Sequence, residues 1–265
     1  MLKFITSRNN PRILTAASLS RKKGRDETGL FMLEGKKLLE EAIKSGAPLT
    51  DVFCTEKQVE YCLSLKPECD VTCVSEQVFL KISTEKSPQG IISLSKHIDK
   101  TCNLDKIFIE RDFTDNHSVF VLCGVQDPGN VGTIVRTAAA AGIGELILSD
   151  DCADVYSPRA VRASMGAIFR QKIAYASSLS NAIDILKKNG YSIYASVLDK
   201  KAVSIDSIDC TGKTVFIVGN EGHGIPNEIV SAAGHTVYIP MKNGVESLNV
   251  SAAATIFMWS CRQKQ

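Results

Sequence analysis

Short, almost wholly apolar runs in the second half of the chain constrain its fold most. The clearest are residues 119–123, 146–148 and 214–218. Strands that are apolar on both faces are typical of a parallel sheet covered by helices on both sides. Helical patterns at 131–141 and 179–188 alternate with these runs. The alternation predicts a parallel-sheet α/β domain over residues 118–265.

The first part of the chain predicts a smaller α/β domain over residues 1–98. Short apolar runs at 31–33, 52–54, 71–74 and 91–94 indicate strands, and residues 35–45 form a helical pattern after the first of them. Residues 99–117 are polar and charged with little pattern. We therefore expect them to link the two domains.

Composition and cysteine spacing exclude several classes of protein. Hydrophobic residues make up 44% and charged residues 23% of the chain, as in ordinary globular proteins. No stretch reaches the roughly 18 apolar residues that cross a bilayer. The first ten residues have no apolar core after their first charges, so we expect no signal peptide. We expect a cytoplasmic protein without membrane contact. The nine cysteines are odd in number and contain no CxxC pair, which predicts reduced, mostly buried thiols and no metal site.

A run of one-sided positive charge opens the chain. The first 25 residues contain no acid and include these basic side chains: Lys3, Arg8, Arg12, Arg21, Lys22, Lys23 and Arg25. Taken alone, the run favours a solvated helix face. It also fits attraction of phosphate groups.

The segment GVQDPGNVGTIVRTAAAAG, residues 124–142, joins the first apolar strand to a helix. Asn130 stands at the helix start, where an asparagine usually caps the helix. Arg136 follows among apolar side chains, and an unpaired arginine is costly to bury. Its guanidinium therefore either reaches solvent or meets an anion.

The segment VFIVGNEGHGIP, residues 215–226, places three glycines directly after a strand. Gly219, Gly222 and Gly224 suit close approach of a ligand to the backbone. The spacing is not the dinucleotide fingerprint, because Glu221 stands where a glycine is needed. A turn that binds no ligand remains an alternative.

The segment YIPMKNGVESLNVSAAATIFMW, residues 238–259, leads into the last helix. Ile239 and Pro240 end a strand, and residues 243–244 form a turn. Ser247 is expected to cap the helix, with Asn249 in its first turn. Both residues are common caps, so neither is decisive alone.

Taken together, the three segments resemble the motifs of the SpoU/TrmH family of RNA ribose methyltransferases, within the SPOUT superfamily. The resemblance rests on Asn130, Gly132 and Arg136, on VGNEGHGIP, and on IPMKNGVESLNVSAAA, which occur in the family's order. The strings FMLEGKKLLEEAIKSG and SPQGIISL resemble the family's N-terminal substrate-binding domain.

This resemblance implies a SPOUT-type parallel sheet with a C-terminal trefoil knot, preceded by a small L30e-like α/β domain. It also implies a homodimer and S-adenosylmethionine as the cofactor. Backbone groups of Gly219, Ile239 and Leu248 would hold the cofactor. Glu221, Gly222 and Pro240 would shape its pocket.

The implied reaction transfers a methyl group to a ribose 2′-hydroxyl of RNA. In similar enzymes the arginine that matches Arg136 is credited with activating this hydroxyl. A guanidinium pKa above about 12 makes literal base action demanding. We therefore expect Arg136 to orient the hydroxyl and stabilise the developing alkoxide, with base action left open. Four further side chains would position ribose, phosphate and cofactor: Asn130, Glu221, Ser247 and Asn249.

The N-terminal domain would select the RNA, and its basic residues Arg8, Arg12, Arg21, Lys22 and Lys23 would grip the backbone. Ribosomal RNA, of the kind modified by 23S methyltransferases, is the expected substrate. The alternatives are transfer RNA and a ribosomal target that confers antibiotic resistance. Two other classes stay open: a non-catalytic RNA-binding protein with a vestigial pocket, and a Rossmann dehydrogenase.

Overall fold

The computed structural model describes residues 2–98, 101–103, 118–199, 201–210, 212–242, 245 and 247–262. The chain divides into two compact units. The first contains Met1–Ile98 and Asp154–Arg170, and the second contains Asp99–Ala153 and Gln171–Gln265.

Strands and helices alternate along most of the chain. The strands are β1 (Lys3–Ile5), β2 (Leu30–Glu34), β3 (Leu49–Cys54), β4 (Asp70–Val74), β5 (Ile91–Lys96), β6 (Thr101–Asn103), β7 (Val119–Leu122), β8 (Glu145–Ser149), β9 (Ile173–Ala176), β10 (Ser192–Ser196), β11 (Val203–Ser204), β12 (Thr214–Val218) and β13 (Gly234–Tyr238). The helices are α1 (Pro11–Ser18), α2 (Lys22–Thr28), α3 (Lys36–Lys44), α4 (Val59–Ser64), α5 (Glu76–Ile82), α6 (Pro128–Ala141), α7 (Pro158–Ser164), α8 (Leu179–Lys188), α9 (Asn227–Ala233) and α10 (Val250–Cys261).

The first unit is built on a mixed sheet of five strands in the order β1-β4-β3-β5-β2. Strands β1, β3 and β4 run parallel, whereas β5 is antiparallel to β3 and β2. On one face Phe53 and Ile92 pack with residues of α1 and α5. On the other face Val52 and Cys54 pack with residues of α3 and α4. This small α/β unit contains all four strands predicted for it and adds the short edge strand β1.

A segment from the second half of the sequence completes the first unit. Helix α7 lies against β2. The guanidinium of Arg25 is buried, donates to Asp154 at 2.7 Å, and also donates to the carbonyl of Leu19 at 2.8 Å. The ring of Tyr156 stacks on His97 with centroids 4.2 Å apart. Residues 154–170, which the sequence placed with the larger domain, therefore pack with the smaller one.

Glu41 joins the end of the same segment to α3. Its carboxylate accepts hydrogen bonds from Lys37, at 3.0 Å, and from Arg170, at 2.9 Å. The bond from Lys37, followed by that from Arg170, lowers the pKa of Glu41 below its ordinary value. Gly166 packs directly on this side chain, and a Cβ there would lie 2.8 Å from the Cβ of Glu41.

The second unit is built on an all-parallel sheet of eight strands in the order β11-β13-β10-β12-β7-β8-β9-β6. Every residue of the central strands β7, β8 and β12 is buried. The prediction of a parallel sheet from wholly apolar runs is therefore confirmed. The linker predicted at 99–117 lies outside the described residues, apart from edge strand β6.

Three simple features of the described residues bear on function. None of the described helices is long and apolar enough to span a membrane. Within the same ranges, no group of three or more His, Cys, Asp or Glu side chains is arranged to hold a metal ion. Five cysteines of the described residues are buried: Cys54, Cys62, Cys73, Cys123 and Cys152.

Candidate active site

A cavity of about 1140 Å³ opens at the carboxyl ends of strands β10, β12 and β13. In parallel sheets ligands bind at this end of the strands, because the turns there expose backbone groups. The lining comes from four places: residues 196–198 after β10, residues 218–225 after β12, residues 237–241 after β13, and residues 245 and 247–250 with Ala253 and Phe257 of α10.

The turn after β12 is held together by the side chain of Asn220. Its Oδ1 accepts from the amides of Gly222, at 2.8 Å, and His223, at 3.0 Å. Its Nδ2 donates to the carbonyl of Gly124 at 2.8 Å. Sequence reasoning missed this residue, although an asparagine that starts a turn after a strand is a recognised signal.

Two glycines of this turn are required by its own geometry. A Cβ on Gly219 would lie 2.5 Å from the carbonyl carbon of Gly224. Gly224 itself has a φ of +71°, in the left-handed region that side chains disfavour. Tight turn packing therefore accounts for these glycines before any ligand is considered, and it leaves the backbone bare where it faces the cavity.

Side chains from all three predicted segments meet in one hydrogen-bonded chain. Nδ2 of Asn130 donates to Oε1 of Glu221 at 2.8 Å. Nδ2 of Asn249 donates to Oδ1 of Asn130 at 3.1 Å. Asn130 thus joins the start of α6 to the glycine turn and to the start of α10.

The helix caps differ from those expected. Asp127 caps α6 by accepting from the amide of Asn130 at 2.9 Å, because Pro128 begins the helix three residues earlier than expected. Asn249 caps α10 by accepting from the amide of Ser251 at 2.9 Å. Ser247 is therefore not a cap but an exposed loop residue that lines the cavity.

Arg136 is exposed and does not line the cavity. The apolar residues around it in sequence, including Ile134, Val135 and Ala138, are buried on the opposite side of α6. Helix α6 is amphipathic, and it turns the guanidinium toward solvent. Of the two outcomes foreseen for Arg136, the structure shows the solvent-facing one.

The cavity fits a cofactor that is bound through backbone groups. Gly219, Ile239 and Leu248 are half-buried at its wall. Within the described part of the chain, none of the three makes a backbone hydrogen bond outside the helices and strands. The other expected cofactor neighbours, Glu221, Gly222 and Pro240, line the same cavity, as do Ser247 and Asn249. The turn expected at residues 243–244 lies outside the described residues.

The buried thiol of Cys123 directly follows β7. Burial raises its pKa to about 12. The thiol therefore stays protonated at neutral pH.

The N-terminal basic residues separate into two groups in space. Arg12 donates its Nε to Asp51 at 3.0 Å and lies over the ring of Phe53, so it is half-buried and engaged within the fold. Lys3 pairs with Asp70. Lys3 is itself exposed, as are Arg8, Arg21, Lys22 and Lys23, of which Lys23 lies 3.7 Å from Glu27.

Comparison with known proteins matches two separate parts of the chain. Residues 117–259 match the SpoU rRNA Methylase family. This chain belongs to that family. Residues 10–93 match the MRM3-like substrate binding domain.

Several SpoU relatives cover the whole length of the chain. The 23S rRNA (guanosine(2553)-2′-O)-methyltransferase RlmP of Bacillus subtilis is 30% identical over 98% of this chain and 100% of that protein. An AdoMet-bound rRNA methyltransferase from Sinorhizobium meliloti is 31% identical, with a TM-score of 0.85 over 98% of this chain and 97% of that one. The SpoU methyltransferase AviRb of Streptomyces viridochromogenes, 23% identical with a TM-score of 0.82, shares the fold.

Proposed function

We propose that this SpoU-family protein transfers a methyl group from S-adenosylmethionine to a ribose 2′-hydroxyl of ribosomal RNA. The observation that carries the proposal is the cavity at the three turns, whose wall holds half-buried backbone groups beside the Glu221–Asn130–Asn249 chain. A full-length relative with a 23S rRNA 2′-O-methyltransferase name supports ribosomal RNA over transfer RNA.

When bound, S-adenosylmethionine supplies an electrophilic methyl group on a sulfonium. The backbone groups of Gly219, Ile239 and Leu248 hold the cofactor, and the apolar side chain of Phe257 lies at the same wall. Their task is to present one face of the methyl group to the incoming hydroxyl, because in-line transfer depends mainly on positioning.

The polar side chains at the mouth of the cavity position the ribose. Glu221 and Asn249 are tied to each other through Asn130, so each has a fixed direction before substrate arrives. Ser247 is exposed beside them and can donate to a ribose or phosphate oxygen. Arg136 orients the 2′-hydroxyl and stabilises its developing negative charge, while an adjacent RNA phosphate or water takes the proton.

The two regions take different roles in this proposal. Residues 1–98 form an L30e-like RNA substrate-binding domain, and residues 118–265 form the methyltransferase domain with a trefoil knot near its C-terminus. Packing of α10 against both β12 and α6 supports the knot. The protein acts as a homodimer in the cytoplasm. Exposure of Arg136, and of Trp259 on α10, supports a second copy that completes the RNA site.

The RNA backbone is gripped by the exposed basic residues Arg8, Arg21, Lys22 and Lys23. Arg12 belongs to the same region but is engaged with Asp51, so its contribution is to hold the surface together. Neutralisation of phosphates by exposed cations is the sequence-independent part of RNA affinity.

The test is transfer of a labelled methyl group by the purified protein to three substrates: protein-free 23S rRNA, assembled large subunits, and bulk tRNA. We expect 2′-O-methylation at one ribosomal nucleotide, mapped by resistance to alkaline hydrolysis. Methylation of tRNA alone would transfer the proposal to the tRNA alternative. Cofactor binding without transfer to any RNA would contradict catalysis.

A further inference from the structure

A second, smaller groove lies wholly within the first unit. Its volume is about 360 Å³, within the range of small-molecule sites. Its walls are the end of edge strand β1, the 3₁₀ turn Glu56–Gln58 and the start of α5. The function proposed above makes no use of it.

An exposed aromatic ring forms one wall of this groove. Phe4 is 72% exposed, whereas the next residue, Ile5, is buried in the core. The register places Phe4 beside Cys73 and Cys73 beside Cys54, so the ring lies on the sheet face that α3 and α4 cover farther in. At the edge strand this cover ends, and the ring faces solvent.

An uncovered phenylalanine on an edge strand is a liability, because such edges pair with other chains. Burial in the core does not explain it, since the ring is largely outside the core. The neighbouring edge residue, Lys3, carries a protective charge paired with Asp70. The contrast between these adjacent residues indicates that the exposed ring of Phe4 binds a ligand.

Three buried apolar residues from the ends of β1 and β4 also line the groove, and its other walls are polar and charged. Thr6, Glu56, Lys57, Ser75 and Glu76 are all exposed. Lys57 supplies an ammonium group for a phosphate, and two residues beyond Thr6 the chain reaches exposed Arg8. The carboxylates of Glu56 and Glu76 can accept from amino groups on the edge of a nucleobase.

We propose that this groove binds one unpaired nucleobase of the RNA substrate, stacked on the ring of Phe4. The proposal rests on the proposed function, since it names how the N-terminal domain reads that RNA. Unpaired RNA bases are recognised by stacking on aromatic side chains together with hydrogen bonds to their edges. An apolar peptide is a poorer fit, because charged side chains line the groove around the single ring.

The test compares Phe4→Ala with Phe4→Tyr and with Leu80→Ala in the full-length protein. Leu80 is 62% exposed on α5, and it does not line the groove. For Phe4→Ala we expect the KM for RNA and the Kd for a single-stranded RNA oligonucleotide to rise about 5- to 150-fold, the effect of losing one base stack. The kcat, the cofactor Kd and the thermal midpoint should not change. Phe4→Tyr and Leu80→Ala should resemble wild type.

Two outcomes would overturn the base site. The first is an unchanged RNA KM and oligonucleotide Kd in Phe4→Ala. The second is an equal loss in Leu80→Ala, which would indicate a general apolar surface. Failure of the proposed function has a different signature, namely no methyl transfer by the wild-type protein. In that case the oligonucleotide Kd still decides whether Phe4 binds a base.

Discussion

The two units use their polar side chains in opposite ways. In the first unit charges are paired with partners far away in sequence, as in Arg25 with Asp154 and Arg12 with Asp51. In the second unit the side chains that connect the segments beside the cavity are amides, and Asn130 and Asn220 each join separate segments. Charge pairs hold the first unit together, whereas hydrogen bonds of asparagine side chains shape the site of the second.

The difference shows that positive charge along a sequence is not the same as positive charge on a surface. Seven basic residues open the chain, but Arg12 and Arg25 lie in half-buried or buried pairs, and exposed Lys3 pairs with Asp70. Conversely, the asparagines that shape the site carry no charge and are easily dismissed as caps. The four predictions below test each side of this contrast.

The largest expected effect is on catalysis, from Arg136→Ala. Loss of a group that stabilises transition-state charge should lower kcat about 10²- to 10³-fold. Because Arg136 is exposed and outside the cavity, the cofactor Kd and the thermal midpoint should stay at wild-type values. Quenched methyl-transfer assays measure kcat, calorimetric titration measures the cofactor Kd, and thermal unfolding measures the midpoint. Wild-type turnover in this variant would remove Arg136 from the reaction.

The next effect is on stability, from Arg25→Met. Breaking a buried pair leaves the Asp154 carboxylate without its partner, which costs about 3–5 kcal/mol of the free energy of unfolding. The matched control is Arg12→Met, which removes a half-buried pair and should cost less. Urea unfolding provides the measurement. Equal losses in the two variants would show that burial of the Arg25 pair does not matter.

A smaller effect separates the two roles of Asn249. Asn249→Ser keeps a good helix cap but removes the amide that donates to Asn130. We expect a fall of about tenfold in methyl transfer, the value of a hydrogen bond worth roughly 1.4 kcal/mol, with little change in stability. Asn249→Ala should show the same loss of activity and a further cost of about 0.5–2 kcal/mol in stability. If Asn249→Ser retains full activity, the amide chain has no role in positioning.

The smallest effect concerns the salt dependence of RNA binding. Replacing Arg21, Lys22 and Lys23 with glutamine should lower the slope of log Kd against log salt by about 0.7–0.9 for each RNA phosphate that is no longer neutralised. The paired residues Lys3 and Arg12, replaced in the same way, should leave the slope unchanged and lower stability instead. Anisotropy titrations at several salt concentrations decide. Equal slopes in the two variants would indicate that the exposed residues form a solvated face and do not bind RNA phosphates.

Much of the fold was predictable from sequence because its central strands are almost wholly apolar. The wholly buried strands β7, β8 and β12 follow directly from that pattern. The three-residue strand β1 and the seven-residue helix α7 were missed, since segments so short contain too little of a recognisable pattern. The grouping of residues 154–170 with the first unit was also out of reach, because it depends on long-range contacts.

The candidate site was predictable in membership but less so in geometry. The family motifs identified residues that do line one cavity, such as Gly219, Ile239 and Leu248. Local rules then misassigned the caps, because Asp127 and Asn249 compete for the same role with their neighbours. The exposure of Arg136 was one of two outcomes that the sequence left open, because apolar neighbours in sequence do not fix the side of the helix on which the guanidinium lies.

The pairing of Arg25 with Asp154 also limits when the first unit can finish folding during synthesis of the chain. The two residues are 129 positions apart. At roughly 5–20 residues per second, the acid leaves the ribosome about 6–26 seconds after the arginine. During that interval the growing N-terminal half lacks helix α7, and the guanidinium of Arg25 has no Asp154 with which to pair. The nascent first unit must therefore wait, incomplete, until part of the catalytic half has been translated.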